Sequence, residues 1–72
     1  MATIKEQNSP FAENLRAYLE SKGITQTHVD RKIGKEPGYI YDILAGKRLA
    51  KASDIAAISA ALEVDPGELM KA

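Results

Sequence analysis

The sequence predicts an all-α fold, a compact bundle of about five short helices, and three observations carry that expectation. Apolar residues recur at helical spacing, most clearly Phe11, Leu15, Tyr18 and Leu19. Helix punctuation recurs too: Pro10, Pro37 and Pro66 fall where helices would begin, and Gly23, Gly34 and Gly46 where they would end. Alternating β-branched runs and hairpin dipeptides are missing, so no strand is expected. With 72 residues there is room for one domain and one core.

The elements follow in order. Residues 1–8 carry no apolar period and are expected to be a flexible N-terminal arm, with the domain proper spanning 9–72. Ser9 is a candidate cap for the first helix, with Pro10 at its first position and Gly23 as its left-handed stop. Thr25 caps a second, short helix with Val29 and Ile33 inward and Gly34 at its end. Pro37 opens a third, with Ile40, Ile43 and Leu44 buried and Gly46 closing it. Ile55, Ile58 and Leu62 mark a fourth among alanines, starting near Lys51 or Ala52. Asp65-Pro66-Gly67-Glu68 reads as a capping box opening a last single turn, with Leu69 tucking back.

Composition excludes several functions. Cysteine is absent and His28 is the only histidine, so neither a disulfide framework nor a metal site is expected, and a reducing cytosol is the natural compartment. Residues 1–8 lack the apolar run of a signal peptide, and nowhere does the chain approach the ~18 consecutive apolar residues of a membrane span. No nucleophile, base and orienting group assemble into a catalytic set, so no enzyme, cofactor or small-molecule ligand is expected.

The net charge is zero, but it is unevenly spread. Residues 1–30 carry −1 and residues 52–72 carry −3, whereas residues 31–51 carry +4 through Arg31, Lys32, Lys35, Lys47, Arg48 and Lys51. Cations gathered in the middle third suit a phosphate backbone. In the same stretch, two short helices joined by a tight turn at Gly34 must pack at a steep angle. Residues 25–46 therefore read as a helix-turn-helix, the unit that presents its second helix to the major groove of double-stranded DNA. Around Thr25 and Gln26 the start of its first helix offers N–H groups and a positive dipole end to phosphate.

At these residues the chain resembles the lambda-repressor-like helix-turn-helix regulators, the Cro-like or Xre-type family. The matching series is Ile24-Thr25-Gln26, Val29, Ile33-Gly34, Tyr39-Ile40, Ile43, Gly46-Lys47-Arg48, then Ile55, Ile58, Leu62 and Val64, running without a gap from Phe11 to Leu69. The resemblance implies a five-helix bundle that works as a homodimer on a two-part operator, as a cytoplasmic, nucleoid-associated repressor. Carried over by position, it implies phosphate contacts from Thr25, Gln26, Lys35, Lys47, Arg48 and Lys51. It implies base or groove contacts from Glu36, Gly38, Tyr39, Tyr41 and Asp42, on a recognition helix spanning 37–44.

The departures bear on mechanism. Glu36-Pro37-Gly38 stands where relatives often carry amides or serines; Pro37 and Gly38 have no side chain to read a base, and Glu36 can accept only from a cytosine amine. Asp30 replaces a small alanine between the two helices, and a buried carboxylate needs a hydroxyl, a cation or helix N–H groups unless it tilts into solvent. Ala50 replaces a frequent proline and Glu63 a frequent glycine, while Leu19 and Leu44 substitute an apolar contact for a charged pair. Zero net charge and the Glu36-Pro37-Gly38 entry favour a second functional class, a protein-interaction module on the same fold, such as an antitoxin binding a toxin. Leu49, Leu69 and Met70 are the apolar residues available for a dimer surface.

Overall fold

The computed structural model describes residues 2–72. Its helices are α1 (Ile4–Asn8), α2 (Phe11–Lys22), α3 (Gln26–Lys32), α4 (Tyr39–Leu44), α5 (Ala52–Leu62) and α6 (Pro66–Leu69), with no strand among the described residues. The all-α expectation holds, with one helix more than the apolar period disclosed.

Each helix end has a local cause. Thr25 caps α3 by accepting from the His28 N–H at 3.1 Å, and Asp65 caps α6 by accepting from the Gly67 N–H at 3.1 Å. Four helices then stop in one way: a residue in the left-handed conformation, followed by an N–H that reaches five residues back. The bonds run from Ile24 to Leu19 (3.0 Å), Lys35 to Asp30 (2.9 Å), Lys47 to Asp42 (2.8 Å) and Val64 to Ser59 (2.9 Å). Glycine supplies three of the left-handed residues, but the fourth is Glu63 at φ 55°, where the side chain is strained against its own backbone.

The core is built from Phe11, Leu15 and Leu19 of α2, Val29 of α3, Ile40, Ile43 and Leu44 of α4, Ile58 of α5 and Leu69 of α6. Burying each large aliphatic side chain contributes roughly 1.5–3 kcal/mol, which is how so short a chain holds together. Helix α4 sits at the centre of the packing, resting on α1, α2 and α3, while α5 packs on α3 and α6. Three helices thus fix α4 from behind and leave its outer side free.

Four expectations are corrected. The arm expected at residues 1–8 contains α1, whose start is a capping box: the Glu6 N–H donates to the Thr3 hydroxyl (3.1 Å) and the Thr3 N–H donates to the Glu6 carboxylate (3.0 Å). Its last residue, Asn8, is buried; the amide donates to the carbonyls of Ile43 and Arg48, each at 2.9 Å, and accepts from the Ala50 N–H at 2.8 Å. Second, α2 begins at Phe11 rather than Pro10, because the Ser9 hydroxyl donates to Glu13 and caps no N–H. Third, α4 begins at Tyr39 rather than Pro37, since Gly38 takes the left-handed conformation at φ 95° and breaks the helical run. Glu68 leaves its expected capping box and pairs with Lys71 at 3.2 Å.

Candidate nucleic-acid interface

The turn between α3 and α4 is organised by Asp30. Its carboxylate is 2% exposed and accepts two backbone donors at the start of α4, the Gly38 N–H at 3.0 Å and the Ile40 N–H at 2.8 Å. Helix N–H groups are therefore what satisfies the buried charge, one of the routes the sequence left open. Asp30 also accepts at its carbonyl from Lys35, so one residue closes α3 and caps α4. Two N–H groups at the start of α4 are thus satisfied inside the protein, and the helix meets a partner chiefly through its side chains.

Those side chains gather in two groups. Lys35, Glu36, Gly38, Tyr39, Asp42 and Arg48 border one concavity of about 270 Å³ at the start of α4. Its rim carries two cations and two carboxylates, so it offers donors to phosphate or guanine and acceptors to a cytosine amine. Tyr41 stands beside it, 52% exposed, with the Lys47 ammonium 5.5 Å from its ring centre. Thr25 and Gln26 lie apart, at a groove between the ends of α2 and α3 that Arg16 and Leu44 also line. The Thr25 hydroxyl accepts the α3 cap bond and keeps its own proton to donate, and Gln26 stands next to it among the polar side chains Arg16, Glu20 and Thr27. Lys51 is exposed at the entrance to α5.

Tyr39 sits differently from Tyr41. Its hydroxyl donates to the Asp54 carboxylate at 2.6 Å, and this hydrogen bond, with burial and the charge of Asp54, pushes the phenol pKa up against the opposing pull of Arg48. Arg48 lies over the ring at 4.5 Å and Lys35 at 5.3 Å, both within cation–π range. A phenol so committed has no proton left for a phosphate. Asp54 itself was not singled out in the sequence; an aspartate in the first turn of a helix reads as ordinary solvation, and only the fold brings Tyr39 to it.

The electrostatics agree with the charge map of the sequence. Among the described residues the one ion pair is Lys71–Glu68, so Arg31, Lys32, Lys35, Lys47, Arg48 and Lys51 keep their charge uncompensated by any carboxylate in contact. Also among the described residues, no cluster of acidic, histidine or cysteine side chains could hold a metal ion, and no helix is long and apolar enough to cross a membrane.

This geometry, a capped α4 presented on α3 with free cations around it, is that of a helix-turn-helix DNA-binding protein. A family model described as helix-turn-helix matches residues 15–69, and the chain belongs to that family, the lambda-repressor-like, Xre-type regulators of transcription that bind double-stranded DNA. Among solved structures it is similar to the restriction-modification controller protein C.AhdI from Aeromonas hydrophila, at 27% identity and a TM-score of 0.76, over 83% of this chain and 91% of that one. No curated protein matches.

Proposed function

We propose that this protein is a sequence-specific transcriptional regulator, acting as a repressor, that inserts residues 37–44 into the major groove of double-stranded DNA. The observation that carries the reading is the set of unpaired cations, Lys35, Lys47, Arg48 and Lys51, bordering the free side of a helix that three others hold in place. In this reading those four residues, with Thr25 and Gln26, contact phosphates and set affinity. Tyr41, Glu36 and Asp42 read the groove, and Gly38 lets the backbone approach closely. The neighbour's role as a restriction-modification controller supports gene control as the task.

One such module makes few contacts, so the working unit in this reading is a homodimer on half-sites about one helical turn apart. Of the apolar residues considered for its interface, Leu69 is spent in the core, whereas Leu49 and Met70 are 41% and 45% exposed. The site of action is the nucleoid of the cytoplasm.

The test is a titration of labelled random-sequence duplex DNA at two salt concentrations, with selection of the bound sequences at the lower one. Salt-sensitive binding that enriches a two-part palindrome supports the reading. Absence of binding at low salt overturns it and favours a protein partner, toward which the acidic side chains Glu36 and Asp42 in the concavity would then face.

A further inference from the structure

Arg48 is held at both ends. Its N–H donates to the Asp42 carbonyl at 3.2 Å, its carbonyl accepts from Asn8 at 2.9 Å, and its guanidinium lies 4.5 Å from the Tyr39 ring centre. The ring is fixed in turn. The Tyr39 hydroxyl donates to Asp54, whose other carboxylate oxygen accepts from the Lys51 N–H at 3.0 Å, at the first turn of the eleven-residue α5. The chain of contacts therefore runs from the start of α5, through a phenol at the start of α4, to a cation on the loop between them. Asp54 is 6% exposed and Tyr39 half-buried, while Arg48 is exposed.

We propose that Tyr39 and Asp54 are positioning residues for DNA binding: Asp54 fixes the phenol, the ring holds the Arg48 guanidinium in place for a phosphate, and both act through Arg48 without touching the duplex. This rests on the DNA-binding reading above and adds to it two residues whose contribution is made before the partner arrives. A free surface arginine loses rotamer freedom when it docks; one already held on a ring face loses less. The gain in affinity is about two- to tenfold. Charge alone argues the reverse for Asp54, because a carboxylate beside the interface repels phosphate. Its presence there is accounted for by the α5 cap it makes and, in this proposal, by the ring it orients.

The experiment is a double-mutant cycle read by binding of a fluorescein-labelled random-sequence duplex at low salt. It compares Tyr39→Leu, Tyr39→Phe and Asp54→Ala in the native background and with Arg48→Ala, each variant first checked for native helicity at the assay temperature. Tyr39→Leu is expected to weaken binding about three- to tenfold with Arg48 present and less than about twofold without it. Tyr39→Phe keeps the ring, so it is expected to lose less than Tyr39→Leu and to show the same dependence on Arg48, which keeps the test open if the leucine variant does not fold. An equal loss in both backgrounds would show that Tyr39 acts on the fold or on the DNA itself, and overturns the proposal. Tighter binding by Asp54→Ala overturns it as well, since that is the outcome of charge without positioning. If the native protein binds no duplex, the DNA reading itself has failed, and that silence is distinct from a cycle without coupling.

Discussion

The Asp30 carboxylate and the Ile40 amide are joined by a 2.8 Å hydrogen bond across ten residues of chain, in the interior of the protein. With the second bond to Gly38 it makes one side chain the cap of a helix to which it does not belong. A cap supplied from the preceding helix ties the orientation of α4 to α3, which a local cap cannot do.

Replacing Asp30 with alanine should therefore destabilise the fold by about 2–4 kcal/mol, because it leaves two backbone donors without an acceptor. Asp30→Asn keeps one acceptor but turns an amide donor toward the other N–H, so it recovers only part of the loss. Urea unfolding of the three proteins measures both; a near-native midpoint for Asp30→Ala would show that water replaces the carboxylate.

Asn8 offers a second test. Its three hydrogen bonds join α1 to the end of α4 and to the loop that carries Lys47 and Arg48. Asn8→Ala is expected to cost roughly 2–3 kcal/mol in urea unfolding and to raise amide exchange in residues 46–51 above that of the core. Gly46→Ala should act on the same junction, since its Cβ would fall 2.7 Å from the Lys5 Cβ at a backbone φ of +78°.

Affinity and preference should separate along the interface. Arg48→Ala is expected to weaken binding to all sequences alike and to lower the slope of log affinity against log salt by about one. Tyr41→Ala should instead alter which sequences a selection enriches, with the salt slope unchanged. Equal behaviour of the two variants on selected and random duplexes would contradict this division.

The raised Tyr39 pKa carries a sign. The folded protein favours the protonated phenol, chiefly through its hydrogen bond to Asp54, so that contribution to stability is complete below the ordinary value of about 10 and is lost as pH rises through the higher folded value. The difference in urea midpoint between the native protein and Tyr39→Phe should be constant from neutral pH to about 9 and shrink above about 10.

Glu63 gives a stabilising change. It holds φ 55° at the end of α5 with its side chain exposed, so Glu63→Gly should relieve strain without losing a contact and raise stability by about 0.5–1 kcal/mol. Thermal unfolding would register it as a rise of a few degrees.

What was legible in the sequence depended on how far each cause lies along the chain. Thr25, Gly34 and Asp65-Pro66 act within a turn of themselves, and they mark helix ends where the structure has them. Pro37 misled because the start of α4 is decided by Asp30, a residue on another helix. Helix α1 has no apolar stripe to reveal it, although Thr3 and Glu6 stand at capping-box spacing and were the available signal. In the interface, the residues that gather around the concavity were all visible as positions on one short segment. The division of labour between Tyr39 and Tyr41 was not, because it depends on Asp54 arriving from fifteen residues away.

The Asn8 clamp also has a meaning in time. Asn8 leaves the ribosome well before the partners it will bond, Ile43, Arg48 and Ala50, the farthest of them 42 residues later. During that interval α1 has nothing to dock on, and at five residues it is too short to persist alone. A nascent chain interrupted before residue 50 therefore lacks part of what anchors α1. The clamp closes once the loop that bears Lys47 and Arg48 is seated on a core that also includes Ile58 and Leu69, so protection of residues 4–8 reports that the basic loop has been built into the fold.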